Sequence, residues 1–513
     1  MSGARIHARN LLANWVGHGA NMVVLFFLSP FIVHTLGKTE YGIWSLLTVL
    51  TGYMGLFDLG ARASTGRHII VYLGLQDHAG VDETIRTGLG FFSLIGLLIL
   101  GAGVVLGLGF TTFFPSAPSE YHGLVLILLP VLAVNMWLSG VAAIFSSVLT
   151  AHDRFDLTQG VNVGVLALNT AGTVLVLRWG YGIAGLTGVV LGCTVLAVAG
   201  NYVLARRVYP RLKVWPPALD RPRLRELLGY GLPAALSRAS YKIIGQTQLV
   251  VVGILVSVAA VTTYSVGAML VFYSGTFIEQ IGNTFFPAVQ RAASTGDIES
   301  ERWYYLRQVR AALIFGLPAY IGFILFGRMF IGLWMAGPEF DDDTVGQAAL
   351  VMAILSASRL FFLFSFGASP LLWTRGHVWF ATIVTAVEAA TSLGLAVLFG
   401  AALGWGLTGV ALGALVSQCL VRGLVLPWRA RQILGLSLDG MLRLAGRALV
   451  TGMVFAGWCL LIQHVIPGGS WGLFAAEVVA ALLGYAVITV VLLVSAADRK
   501  RLFGLVRGWV GRN

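Results

Sequence analysis

The chain has 513 residues, 57% of them apolar and 11% charged, with a mean hydropathy of +0.84. Soluble domains carry roughly 25% charged residues, so a water-soluble fold of this size could not cover its surface; a soluble enzyme, a nucleic-acid binder and a disordered scaffold are excluded. The net charge of +12 follows from membrane topology, and Cys193, Cys419 and Cys459 lie in separate apolar runs, forming neither a disulfide framework nor a metal site.

A helix needs about 20 apolar residues to cross the hydrocarbon core. In chain order, such runs fall at 13–36, 41–62, 88–112, 123–150, 160–177, 183–204, 227–256, 259–286, 309–334, 346–372, 378–400, 405–428, 447–466 and 471–495. They predict an all-α integral membrane protein of about fourteen transmembrane helices. The first run carries no small-residue cleavage site, so no cleavable signal peptide is expected. With the N-terminus placed in the cytoplasm, 27 of the 34 Lys and Arg residues fall in cytoplasmic segments, four lie inside runs, and only Lys38, Arg178 and Arg328 fall in external segments. The external loops carry Glu40, Glu120, Glu339 and Asp341–Asp343 instead. This asymmetry satisfies the positive-inside rule and predicts two cytoplasmic termini.

The chain also contains a weak copy of itself. Gly185–Gly192 matches Gly406–Gly413 at an offset of 221; Tyr41 matches Tyr264, and the turn after Leu149 matches the turn after Leu372, both at 223. Six spans per copy keep both copies in the same orientation, a parallel repeat. The expected organisation is an N-lobe at 1–205, a basic linker at 206–226 and a C-lobe at 227–428. A loop at 429–446, an extra helix pair at 447–495 and a tail at 496–513 follow. A cavity between the lobes is expected near the membrane midplane. Topological anchoring explains the arginines and prolines of the linker, and contact with anionic headgroups is a possible addition.

Leu36-Gly-Lys-Thr-Glu-Tyr-Gly-Ile-Trp-Ser-Leu46, Tyr53, Leu56-Phe-Asp-Leu-Gly60 and Arg67 form a recognisable signature around the second run. With Gly231-Leu-Pro233 and Phe286-Pro287, it resembles the Wzx-type lipid-linked oligosaccharide flippases of the MOP (multidrug/oligosaccharidyl-lipid/polysaccharide) exporter superfamily. The resemblance covers most of the chain. It implies a MATE-like fold of two six-helix lobes, alternating access, and a substrate built on polyprenyl diphosphate. The extra helix pair favours the lipid-substrate branches, since lipid II flippases share the fourteen-span layout and multidrug exporters usually have twelve spans.

Ionisable residues inside spans are costly and mark function. Arg238 and Lys242 lie four apart in the seventh run and so share a helix face, with Tyr241 and Gln246 nearby; Arg359 lies midway through the tenth. Pairing with Glu388 in the eleventh run would neutralise only one of these cations. The remaining surplus reads as an anion-binding wall, suited to a sugar diphosphate. Asn14, His18 and Asn21 form a polar stripe in the first run, explained by interhelical hydrogen bonds or by a cavity lining that touches sugar hydroxyls. Asp58 and Glu279 occupy roughly corresponding places in the second and eighth runs. They fit helix-end pairing with Arg62 or Arg291, or a cytoplasmic gate. Arg422 is expected to snorkel, and Glu477 in the last run has no assigned role.

No phosphate-cradling loop is present, so ATP does not drive the protein directly and no cofactor is expected. Coupling to Na+ or H+ would fall to Glu388 and Asp58. The expected function is flipping of an undecaprenyl-diphosphate-linked oligosaccharide across the bacterial inner membrane for O-antigen, capsule or exopolysaccharide synthesis. A polysaccharide polymerase and export machinery are the expected partners. The alternatives are a drug or metabolite exporter of the same superfamily, or an integral-membrane polymerase.

Overall fold

The apolar runs become helices because a backbone in lipid must satisfy its hydrogen bonds internally. A computed structural model describes residues 2–58, 60–217, 220, 222, 224, 231–466 and 468–494; the side chains of 2–18, 20, 63, 231–234, 283 and 286 lie outside that description. Among the described residues there are helices and turns and no strand. In order they are α1 (Ser2–Met54), α2 (Ala61–Gly74), α3 (His78–Phe113), α4 (His122–Ala151), α5 (Phe155–Arg178), α6 (Gly182–Val208), α7 (Gly231–Leu255) and α8 (Val258–Ser294). There follow α9 (Ile298–Trp334), α10 (Asp342–Phe364), α11 (Ala368–Thr374), α12 (Val378–Val397), α13 (Gly406–Gln418), α14 (Leu426–Leu434), α15 (Leu438–Val465) and α16 (Trp471–Leu492).

Twelve helices among the described residues are long and apolar enough to cross a membrane, against the fourteen expected. The difference has a physical origin at two places. The first two runs are one helix, α1, broken at Gly37 (φ 73°, ψ 170°). The seventh is α7, whose Arg238, Lys242 and polar neighbours set it apart from the strongly apolar spans.

The chain divides into two compact units, Met1–Thr262 and Thr263–Asn513. The division falls after α7 and not in the basic linker, so the seventh run counts with the first unit. In that unit the core is built by α3, α4 and α6, with Val81, Ile85, Phe92, Leu129, Ile144 and Val148 buried. The start of the linker is part of the same unit. Tyr209 is buried and shares a 3.3 Å hydrogen bond with His78, Lys213 reaches Asp82 at 3.8 Å, and Arg86 Nε donates to Pro216 O at 2.7 Å. Arg221, Arg223 and Arg225, and the tail from 495 onward, lie outside the described residues.

The second unit packs α9 on α10 and α12 on α13. A side chain on Gly413 would stand 2.5 Å from Ala396 N, so glycine is what lets these two backbones approach. The pair α15 and α16 packs on α9 and on each other, with Tyr485 Oη donating to Ile314 O at 2.9 Å.

The turns carry the internal repeat. After α4, Asp153 (φ 57°) lets Arg154 N–H donate to Leu149 O at 2.9 Å. After α11, Gly376 (φ 80°) lets His377 N–H donate to Leu372 O at 2.8 Å, the same turn displaced by 223. Asp77 caps α3 through Gly80 N and Asp297 caps α9 through Ser300 N, an offset of 220. The glycine-rich match needs a different register. The left-handed pair Gly180 and Gly182 corresponds to Gly404 and Gly406, an offset of 224, so Gly406 takes the place of Gly182 and not of Gly185.

Candidate functional site

In the first unit α7 lies against the second half of α1 and the single turn Gly55–Asp58. Two glycines make room for its cations. A side-chain carbon on Gly52 would stand 2.9 Å from Lys242 Nζ and 3.0 Å from Gln246 Oε1; one on Gly60 (φ 85°) would stand 3.2 Å from Arg238 Nη1. Arg238 is exposed and Lys242 half-buried. Neither has a carboxylate partner among the described residues. One turn further along α7, Thr247 shares a hydrogen bond with the Tyr53 hydroxyl, and the buried Gln246 Oε1 accepts none. Arg238 and Lys242 thus lie four apart on one helix, each against a glycine of the chain packed on it.

Asp58 has a local role. Gly60 N–H donates to its Oδ1 at 2.6 Å, and Arg62 Nε lies 3.4 Å from Oδ2. The carboxylate stabilises the left-handed turn that breaks the helix at Gly60. Of the polar stripe in the first run, Asn21 is exposed, while the side chains of Asn14 and His18 lie outside the described residues.

In the second unit Arg359 is half-buried on α10, with its guanidinium 3.8 Å from where a side chain on Gly275 would begin. Its carbon lies 5.6 Å from the centre of the Phe362 ring. The same ring receives a second guanidinium, Arg422, at 5.5 Å. Arg422 does not snorkel: it is 4% exposed. It lies in the widened, π-helical stretch Cys419–Val425 that follows α13. From there its Nε donates to both oxygens of Glu388, at 3.0 and 2.8 Å.

Glu388, 1% exposed on α12, is thus neutralised by Arg422 and not by the three predicted cations. Ser417 donates to its backbone oxygen at 2.8 Å. Arg359 stays without a carboxylate partner among the described residues. Glu279, exposed on α8, forms no ion pair among them either.

A second buried carboxylate escaped the sequence reading. Glu301, fully buried in the first turn of α9, is clamped by Arg375 from the α11–α12 turn, 74 residues away, where no local pattern links them. Glu477 is also buried, with Oε2 accepting no hydrogen bond.

The fold is similar to that of solved transporters of the MOP superfamily. A solved multidrug resistance MATE family transporter of that superfamily, inward-facing, covers 80% of this chain and 94% of its own at a TM-score of 0.67 and 17% identity. The lipid II flippase MurJ, inward closed, covers 94% of this chain and 98% of its own at a TM-score of 0.68 and 13% identity.

By sequence the chain is similar to proteins of polysaccharide biosynthesis and transport. A family model for polysaccharide biosynthesis proteins matches residues 98–340. A Shigella flexneri protein named for O-antigen transport is 21% identical over 64% of this chain and 76% of its own length. The uncharacterised transporter YisQ of Bacillus subtilis is 25% identical over 56% of this chain, and the match spans 64% of its length, short of two thirds. The resemblance to Wzx-type flippases read from residues 36–67 agrees with these relatives.

Proposed function

We propose that this protein flips an undecaprenyl-diphosphate-linked oligosaccharide to the outer leaflet of a bacterial cytoplasmic membrane by alternating access, for O-antigen, capsule or exopolysaccharide assembly. The observation that carries this reading is the surplus of positive charge inside the membrane. Arg238 and Lys242 on α7 and Arg359 on α10 have no carboxylate partner among the described residues, while the carboxylate nearest in kind, Glu388, is held by Arg422. A bare cation in a span costs at least ~2.5–3.5 kcal/mol. A diphosphate supplies the anionic oxygens that repay it through charge-assisted hydrogen bonds.

A cation-exporting drug transporter would need carboxylates in these places. The relatives named for transport, and the lipid II flippase sharing the fold, support the lipid-linked substrate. A polymerase is expected to act on the flipped product. Glu279, exposed and without an ion pair among the described residues, is the best remaining candidate for gating or for coupling to H+ or Na+.

The test is mass spectrometry of polyprenyl-linked lipids from a deletion strain beside its parent. Lipid-linked oligosaccharide accumulating on the cytoplasmic leaflet is the expected result. Accumulation accessible from outside would move the block to polymerisation, and an unchanged profile with new drug sensitivity would indicate an exporter.

A further inference from the structure

The nine-residue helix α14 (Leu426–Leu434) has features that transport of a lipid-linked sugar does not use. Its inner face, Leu426, Pro427, Ala430 and Leu434, is buried. It is held from behind by Arg302, whose Nε donates to Leu434 O, and it ends at Gly435 (φ 58°). Arg429 and Arg431 lie on the two flanks of that face. The Arg429 guanidinium stacks 5.1 Å from the Phe380 ring and donates to Gln432 Oε1 at 3.0 Å; Arg431 stacks 4.8 Å from Trp428. The Nε–H of each is buried with no acceptor, and neither guanidinium meets a carboxylate among the described residues.

Two planar cations are therefore fixed in place by aromatic rings, with donors left over. Three tryptophans stand half-exposed at the same end of the unit: Trp428 (51%), Trp379 beside Phe380, and Trp303 beside Arg302, itself under Arg307 at 4.7 Å. Such residues sit at headgroup level in a bilayer. Leading away from Trp428, Leu424 and Leu420 are exposed at intervals of four, an apolar track in line with that tryptophan.

We propose that α14 is a binding site for an anionic phospholipid: Arg429 and Arg431 hold the headgroup phosphate, Trp428 marks the headgroup boundary, and an acyl chain lies along Leu424 and Leu420. The flat guanidiniums suit a phosphodiester, because stacking leaves their edge N–H groups free to donate in the ring plane. The apolar track distinguishes a lipid from free phosphate. The site uses none of Arg238, Lys242 and Arg359, so it stands whatever the transported substrate is.

The experiment is native mass spectrometry of the full-length protein in neutral detergent, titrated with phosphatidylglycerol, phosphatidylcholine or inorganic phosphate. Phosphatidylglycerol should bind in preference to phosphatidylcholine. Arg429→Gln with Arg431→Gln should weaken phosphatidylglycerol about thirty-fold, about five-fold per arginine, and leave phosphatidylcholine unchanged. Equal phosphatidylglycerol binding by the double variant would overturn the site, and competition by millimolar inorganic phosphate would overturn the lipid in favour of a free anion. Should the double variant fail to fold, Trp428→Ala serves instead. It should lose phosphatidylglycerol binding several-fold, and unaltered binding would count equally against the proposal.

Discussion

The two units treat the cations of their apolar helices in different ways. In the first, Arg238 and Lys242 rest against glycine backbone at Gly60 and Gly52, and no carboxylate among the described residues answers them. In the second, two guanidiniums flank one phenylalanine; Arg422 is neutralised by Glu388 and Arg359 is not. A paired buried charge and an unpaired one look alike in a sequence, yet they do different things. The first is a structural tie whose partner must not be removed. The second is, under the proposed function, where the substrate's anion would sit.

The two units also break different helices. The second run is interrupted at Gly60 (φ 85°) in the first unit, whereas its counterpart α8 is continuous; α4 is continuous, whereas α10 ends at Phe364 and restarts beyond Gly367 (φ 83°). The first break lies beside a cation, Gly60 against Arg238, and the second beside an amide, Gly367 against Gln308.

The sharpest way to break the comparison is at the tie. Glu388→Ala or Arg422→Ala alone strands a buried charge and should cost ~3–5 kcal/mol, read as loss of folded protein in membranes and a lower unfolding temperature. The double variant Glu388→Gln with Arg422→Met should recover most of that stability. Equal losses in the single and double variants would show that the pair is not what holds α12 to the segment after α13.

The unpaired cations should behave in the reverse manner. Arg238→Ala, Lys242→Ala and Arg359→Ala should leave protein levels intact while lowering export, each by about 10- to 100-fold, since a hydrogen bond to a charged group contributes ~1.5–3 kcal/mol. Normal export by all three would remove the anion site from the proposal.

A smaller effect tests the glycine seat. Gly52→Ala places a carbon against Lys242 Nζ and Gln246 Oε1; these ends of flexible side chains shift at little cost to stability, but the ammonium is displaced. Export should drop several-fold while Gly74→Ala, which meets open space, changes nothing.

The smallest effect is at the N-cap of α9. Hydrogen bonds from Ser300 hold the Asp297 carboxyl below the usual aspartate range. A depressed native value means that the cap stabilises fully above the ordinary aspartate pKa of about 3.9 and is lost as pH falls through the native value. Asp297→Asn should flatten the acid limb of a stability-versus-pH curve slightly.

Much of this architecture is written in the chain because lipid imposes strict local rules. Apolar runs of about 20 residues must be helices, charge asymmetry orients them, and turns such as Leu149–Arg154 and Leu372–His377 repeat because the same backbone closure is required twice. That Arg238 and Lys242 share a face also followed from helical spacing alone.

What only the tertiary structure decided was pairing across distance. Glu388 and Arg422 are 34 residues apart and Glu301 and Arg375 are 74 apart, so no periodicity connects them. Arg422 read as a snorkelling residue because its position in the run is near an end; a π-helical stretch, invisible to a 3.6-residue period, puts it at Glu388 instead. Likewise the seventh run resembles the opening of a second lobe in sequence, yet it packs with the first unit, because what a helix buries depends on the neighbours it meets and not on its place in a repeat.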